Sequence, residues 1–157
     1  LSFHLGILGE PEFDSCEAFC INGLDRVPAG TKTFTVEEHG AAMMKFKSGL
    51  RYYWERASNA HQEIPNQTSI YGTKGGLHFT YVGAANEITY FYTGDKGKGK
   101  ARQRTYRVNM SRHCSDMYAV GQAVIRALEG KGPVPMPLEL ELKNLEIMHA
   151  LYKAAGW

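Results

Sequence analysis

The polar connection near the middle of the chain holds residue types that readily act on a small ligand. Residues 59–67 read NAHQEIPNQ and join two segments that alternate as strands do. His61 and Glu63 could exchange a proton with a ligand, because an imidazole beside a carboxylate is an acid–base pair. As a second possibility, this connection could contact a ligand directly. Connections of this kind often carry function on a rigid scaffold, although two polar neighbours in a loop are also common in solvated turns.

The cysteines raise the question of a metal site. Cys16, Cys20, His113 and Cys114 have the residue types of a structural zinc site, which needs four ligands. Cys16 and Cys20 share one face of a predicted strand and stand about 13 Å apart along it. Two ligands of one zinc ion must be much closer, so we interpret them as buried free thiols and expect no metal. Three cysteines in all make no disulfide framework, which favours a reducing compartment and predicts a cytoplasmic protein.

A basic segment follows the aromatic residues 90–92, and its cations are Lys96, Lys98, Lys100, Arg102, Arg104 and Arg107. Bases of a single-stranded nucleic acid could stack on such aromatics beside the cations. Alternating cations also protect ordinary edge strands from pairing, and the whole chain carries a net charge of only +2. The glycines of residues 94–99 do not form a phosphate-binding loop. We therefore expect no nucleic-acid partner.

The elements that position these residues belong to one globular domain. The chain has 157 residues, of which 43% are hydrophobic and 22% charged, and this balance excludes a disordered tail or a fibre. No apolar run approaches the roughly 20 residues that cross a bilayer, so we expect no membrane partner.

Hydrophobic periodicity predicts a run of strands after a short apolar helix that ends at Gly9. Alternation with period two predicts the strands, and glycine turns separate several of them. The predicted strand segments are residues 14–24, 33–47, 50–60, 67–72, 77–82, 87–93 and 102–109.

Helical periodicity replaces alternation in the last third of the chain. One helix is predicted from Ser115 to the stop at Gly130, and a second from Leu138. The second has an apolar stripe of Leu138, Leu142, Leu145, His149 and Tyr152, flanked by Ile147, Met148 and Leu151. Strands first and helices after predict an α+β fold. We expect an open, predominantly antiparallel (mixed) sheet of about six strands with helices packed on one face.

Aromatic residues concentrate on one predicted strand. Alternation sends Tyr52, Trp54 and Arg56 to one face and Tyr53 and Glu55 to the other. Trp, Tyr and Arg are favoured at subunit interfaces, but the same side chains could form the core beneath the helices. The sequence leaves both possibilities open.

Several local patterns, taken in order, resemble one known domain. Residues 8–11 (LGEP) follow an apolar helix as that domain's L-G-x-P does. Residues 46–50 (FKSGL) and 54–58 (WERAS) resemble its F-x-x-G … E-x-S hairpin. Residues 70–77 (IYGTKGGL) closely match its I-x-G-T-x-G-x-L strand–turn–strand.

The two predicted helices continue the same resemblance. Residues 124–130 (VIRALEG) resemble a penultimate helix that ends A-I-x-x-G, and residues 145–155 (LEIMHALYKAA) resemble a final L-x-I-I-x-A-L-Y-x-S-A helix. The order and spacing together resemble the C-terminal domain of the glucose–fructose oxidoreductase, inositol dehydrogenase and rhizopine-catabolism (Gfo/Idh/MocA) family.

The resemblance implies half of an NAD(P)-dependent oxidoreductase that acts on a sugar, polyol or related carbonyl compound. Residues 1–157 would be its single C-terminal substrate-binding and oligomerisation domain. NAD or NADP would be bound mainly by an N-terminal Rossmann domain outside this chain, which also carries the family's catalytic Lys. We therefore assign no catalytic, cofactor-binding or metal-binding residue here and expect the chain alone to be inactive.

The resemblance also indicates where substrate and partners would bind. Family members place substrate contacts shortly before the strand that ends in I-x-G, which here is the same polar connection. The implied substrate-binding residues are His61, Gln62, Asn66, Gln67 and Arg56. The implied partners are the chain's own Rossmann domain and further copies of itself, bound through the open sheet face. The alternative is a freestanding, non-catalytic binding or scaffold domain of the same fold.

Overall fold

The computed structural model describes residues 1–22, 36–58, 67–80, 87–93, 100–107 and 115–157. The described strands are β1 Phe13–Ile21, β2 His39–Phe46, β3 Arg51–Ala57, β4 Gln67–Tyr71, β5 Gly75–Thr80, β6 Glu87–Thr93 and β7 Ala101–Arg107. The described helices are α1 Ser2–Ile7, α2 Ser115–Leu128 and α3 Leu138–Ala154. They divide into two compact units, one formed by Leu1–Glu63 with Val134–Trp157 and one by Ile64–Pro133.

The α+β class and the antiparallel, open character of the sheet are confirmed. The seven described strands form two hydrogen-bonded sheets, β1-β2-β3 and β4-β5-β6-β7, where we expected one sheet of about six. Every described pairing is antiparallel. Alternation identifies a strand but carries no information on which neighbour it pairs with. The sequence therefore did not predict the division of the strands into two sheets.

Two glycines that were predicted to end a helix or form a turn do so in the structure. Helix α1 ends where Gly9 adopts a φ of 78°, a conformation that glycine reaches without steric cost. The hairpin between β2 and β3 turns at Gly49, whose φ is 90°. Strand β2 begins later than predicted, at His39, and residues 33–35 lie outside the described part of the chain.

The core of the first unit lies between its sheet and two helices. Its buried members are Leu5 from α1, Ala42, Met44 and Phe46 from β2, and Ile147 and Leu151 from α3. The three β2 residues alternate along the strand, so α1 and α3 cover the same face of the sheet, as predicted for the helices. Tyr52 and Trp54 pack against this cluster, which decides that their face of β3 is core beneath the helices.

Helix α3 uses a different face from the predicted stripe. Its buried residues are Asn144, Ile147 and Leu151, whereas Leu138, Leu142 and Leu145 are 69%, 50% and 63% exposed. His149, expected at the core, is also exposed. The prediction was wrong because apolar residues occur on more than one side of this helix, and the packing against β1 decides which side is buried.

The second unit holds the four-stranded sheet and α2. A tight turn joins β4 to β5, and Gly75 is required there because a Cβ would stand 2.6 Å from the Phe91 carbonyl oxygen. None of the helices in the described part of the chain has the length and apolar character needed to span a bilayer.

Neighbouring methionines on β2 test the two-faced sheet of the first unit. Met44 is fully buried and Met43 is 40% exposed. Met44→Ala leaves a cavity and is expected to lower the free energy of unfolding by about 2–5 kcal/mol. Met43→Ala, the matched control, should cost well under half of that. Urea denaturation followed by circular dichroism measures both, and equal losses would contradict the assignment of faces.

Candidate functional site

A row of three cross-strand partners ends the helix-covered face of the first sheet. Cys20 on β1 pairs with Gly40 on β2, and Gly40 pairs with Arg56 on β3. The row stands where β1 and β3 finish and β2 starts. Arg56 is exposed and Cys20 half-buried. The register therefore places the Arg56 guanidinium and the Cys20 thiol on opposite sides of Gly40, which has no side chain.

Gly40 makes room for its neighbours. A Cβ at this position would lie 3.3 Å from the Cys20 Sγ, 3.4 Å from the Phe19 carbonyl oxygen and 4.0 Å from the Glu37 Cγ. The Cys20 sulfur and the stem of Glu37 therefore occupy the space above β2 that a larger residue would fill. Glu37 is half-buried and directly precedes the ladder, whose first described contact is the Glu38 amide donating to the Ile21 carbonyl at 2.9 Å.

Helix α3 completes this cluster with Tyr152. Its hydroxyl lies within hydrogen-bonding range of the Glu37 carboxylate, which together with burial raises the pKa of Tyr152. Cys20 adds to that rise and the Arg56 guanidinium opposes it, so Glu37, Cys20 and Arg56 all lie within electrostatic range of the phenol. Burial, and then the Glu37 charge, raises the pKa of Cys20 and keeps it a thiol.

The combination offers complementary hydrogen-bonding chemistry. Arg56 donates, the Glu37 carboxylate accepts, and the Tyr152 hydroxyl does both. No pattern in the sequence indicated a binding role for Glu37 or Tyr152, which are far apart in the chain. Glycine within a strand was the one local signal available, since it often marks a close approach of another group.

The predicted substrate residues divide between described and undescribed parts of the chain. Arg56 lies in the cluster just described. His61, Gln62 and Asn66 lie outside the described residues, as does residue 63. Gln67 is the exposed first residue of β4 in the second unit, where it pairs with Thr80.

The second face of the three-stranded sheet carries exposed apolar side chains among polar pairs. Phe19, Ile21, Met43 and Tyr53 are between 40% and 57% exposed. Glu55 accepts from the Tyr53 hydroxyl at 2.7 Å and pairs with His39 Nε2 at 2.9 Å, and these bonds lower the pKa of Glu55. Lys45 Nζ lies 3.2 Å from Glu17 Oε1. The face is open and largely satisfied within itself.

The described cysteines are free thiols, and the residues of β7, which include three of the arginines, are exposed. Cys16 is a free thiol whose Sγ lies 3.5 Å from the Ala150 carbonyl oxygen, and burial raises its pKa. No group of three potential metal ligands occurs in the described ranges, while His113 and Cys114 fall outside them. On β7, the Arg104 guanidinium lies 5.0 Å from the centre of the Tyr106 ring, and all the residues of that strand are exposed.

A partly buried hydrogen bond connects helix α1 to the sheet. His4 Nδ1 lies 2.6 Å from the Tyr52 hydroxyl oxygen. Burial lowers the pKa of His4, with a smaller contribution from the Leu1 ammonium group, which favours a neutral imidazole that accepts a hydrogen bond from the Tyr52 hydroxyl. Burial also raises the pKa of Tyr52 to about 12.

No protein-family model matches the chain, and no curated protein matches it in sequence. Solved structures do match. An NAD-binding oxidoreductase from Klebsiella pneumoniae superposes with a TM-score of 0.79 and 16% identity, covering 98% of this chain and 45% of its own. The chain shares the fold of the matching part of this oxidoreductase.

Two further structures show the range of proteins that share this fold. Levoglucosan dehydrogenase in complex with NADH and levoglucosan matches with a TM-score of 0.76 and 17% identity, covering 92% of this chain and 43% of its own. A super-repressor mutant of Gal80p from Saccharomyces cerevisiae matches with a TM-score of 0.66 and 16% identity, covering 98% and 46%. The chain thus spans less than half the length of each of these proteins.

The shifted pKa of Tyr52 predicts a loss of stability at alkaline pH. The phenol ionises near pH 10.0 in the unfolded chain and near 12 in the folded one, so folding favours the protonated form. The stabilisation is complete below pH 10.0 and is lost as the pH rises toward 12. Tyr52→Phe should reduce this alkaline loss, measured by urea denaturation at a series of pH values. An unchanged alkaline slope in Tyr52→Phe would contradict the assignment.

Proposed function

We propose that this chain is the substrate-binding and oligomerisation domain of an NAD(P)-dependent oxidoreductase acting on a sugar, polyol or related carbonyl compound. The observation that carries the proposal is the structural match over 92–98% of the chain to dehydrogenases of which it covers less than half. One of them binds NADH together with levoglucosan, an anhydrosugar. The motif order in residues 8–11, 46–58 and 70–77 supports the same family.

The dinucleotide would be held mainly outside this chain. No G-x-G-x-x-G pattern occurs anywhere in residues 1–157, so the chain lacks the glycine-rich turn with which a Rossmann domain receives a pyrophosphate. Bound NAD or NADP would supply the hydride chemistry. The contribution of this chain is to bind the substrate and hold its hydroxyl and carbonyl groups in position.

Substrate contacts are proposed for Arg56 and the connection that follows β3. Arg56 is exposed, so its guanidinium is accessible to a ligand. His61, Gln62, Asn66 and Gln67 follow in the sequence and supply the donors and acceptors that a hydroxylated ligand needs.

Further copies of the chain are the proposed partners of the open sheet face. Its exposed Phe19, Ile21, Met43 and Tyr53 would lose solvent-accessible apolar surface on association, which is favourable. The two described thiols are free, in keeping with the proposed cytoplasmic location.

Single substitutions of Arg56 and of His61 test the proposed substrate site. They are made in the complete polypeptide that the gene encodes. Loss of a charge-assisted hydrogen bond costs about 1.5–3 kcal/mol, so Arg56→Ala should lower kcat/KM roughly tenfold to a hundredfold. His61→Ala should raise KM or lower kcat/KM without unfolding the protein. Nicotinamide absorbance, recorded with a panel of sugars and polyols, measures both.

Arg51→Ala is the matched control for Arg56→Ala. Arg51 lies on the same strand but on the open face, where its guanidinium donates to the Gly49 carbonyl at 3.2 Å. It should leave the kinetics unchanged. Equal kinetic constants for Arg56→Ala and the unmodified enzyme would remove Arg56 from the site, and the same result for His61→Ala would remove His61.

The alternative is a non-catalytic domain of the same fold, and the match to a Gal80p super-repressor mutant favours keeping it in view. The upstream gene sequence separates the two. A strand followed by G-x-G-x-x-G and a Lys-Pro pair would support the oxidoreductase. An in-frame start directly before Leu1 with no such region would support a binding domain, and so would NADH-independent binding of a partner.

A further inference from the structure

A carboxylate, a phenol and a guanidinium meet at one end of the helix-covered face of the first sheet. Four elements supply them and their surroundings: β1, the start of β2, the end of β3 and the last turn of α3. Tyr152 is next to Leu151, which is 6% exposed and part of the core. The phenol is therefore held by the packing of α3 and does not depend on a loop.

Gly40 lies beside two of the side chains in this cluster. Its missing side chain leaves the space that Cys20 Sγ and the Glu37 stem fill. The Glu37 carboxylate then lies within hydrogen-bonding range of the Tyr152 hydroxyl, while Arg56 flanks Gly40 from the opposite strand. A Cβ at position 40 would press on the Cys20 sulfur at 3.3 Å and would reach ordinary van der Waals contact with the Glu37 Cγ at 4.0 Å.

The charged groups of this cluster keep unused hydrogen-bonding capacity. Among the described residues, neither Glu37 nor Arg56 takes part in an ion pair, although both interact electrostatically with Tyr152. A carboxylate accepts through about four lone-pair sites and a guanidinium donates through five N–H groups. One phenol cannot satisfy both, so within the described part of the chain these two groups retain acceptors and donors for a ligand.

We propose that Glu37, Tyr152 and Arg56 form a subsite that binds the hydroxyl groups of a sugar or polyol. Adjacent hydroxyls of such a ligand donate to the Glu37 carboxylate, and a neighbouring ligand oxygen accepts from Arg56. Tyr152 holds the carboxylate in place and contributes its own oxygen as an acceptor. The subsite rests on the proposed function for the class of ligand, and it adds Glu37 and Tyr152 to the residues that recognise it.

A second tyrosine–glutamate pair in the same unit provides the control. On the open face, Tyr53 donates to Glu55 at 2.7 Å, and Glu55 also pairs with His39 at 2.9 Å. The Glu55 carboxylate is thus already bonded to two neighbours on this face. Among the described residues, no arginine is separated from this pair by a glycine as Arg56 is from Cys20. Glu55→Gln and Tyr53→Phe therefore make the same chemical changes as Glu37→Gln and Tyr152→Phe on the opposite face of the sheet.

The experiment measures ligand binding and turnover in the complete polypeptide. Glucose, glucitol and 2-deoxyglucose are titrated by calorimetry into the unmodified protein and the four variants, and thermal denaturation verifies that each variant is folded. Glu37→Gln and Tyr152→Phe should each raise the Kd for glucose or glucitol at least about fivefold. Each should also reduce the factor by which glucose binds more tightly than 2-deoxyglucose. The Glu55 and Tyr53 variants should bind as the unmodified protein does.

The outcomes separate the subsite from the proposed function. Binding without dinucleotide-linked turnover, weakened only by the Glu37 and Tyr152 variants, would support the subsite and count against the oxidoreductase. Turnover with binding that these two variants leave unchanged would overturn the subsite and keep the oxidoreductase. Equal weakening by all four variants, or no saturable binding of any of the three compounds, would also overturn the subsite.

Discussion

The burial of alternate residues of β2 is the constraint on which the first unit depends. Ala42, Met44 and Phe46 are 3%, 0% and 2% exposed, and helices α1 and α3 cover them from one side. Side chains of a strand alternate between faces, so a slip of one residue would put Met43 and Lys45 into the core. Burial on one face therefore determines the register of both neighbouring strands.

That register also determines where the polar chemistry lies. Once Met44 faces the helices, Gly40 faces the same way, and its partners Cys20 and Arg56 follow through the ladder. Helix α3 contributes Leu151 to the core and Tyr152, the next residue, to the polar cluster. The same packing that stabilises the unit thus positions the proposed subsite. Because the core is tightly packed, the side chains next to it are held in defined positions.

The two faces of the sheet differ in how far their polar groups are satisfied. On the open face, Glu55, His39 and Tyr53 are bonded to one another, and Lys45 pairs with Glu17. Such a face suits contact with another protein surface, where polar groups must be satisfied when water leaves. The cluster around Gly40 retains donors and acceptors, as ligand recognition requires. A fold found in dehydrogenases and in a repressor acquires its function from differences of this kind.

The sequence by itself determined the class of fold, the location of each described element and the two faces of β3. These depend on local signals: alternation, helical spacing, and glycines such as Gly9 and Gly49 that adopt positive φ. It did not determine which side of α3 is buried, because apolar residues such as Leu142 and Leu145 lie on a second side and only packing against β1 chooses between them. The division into two sheets and the meeting of Glu37 with Tyr152 also required the tertiary structure. Pairing between strands and contacts between distant residues depend on the complementary shapes of whole elements, which no local pattern encodes.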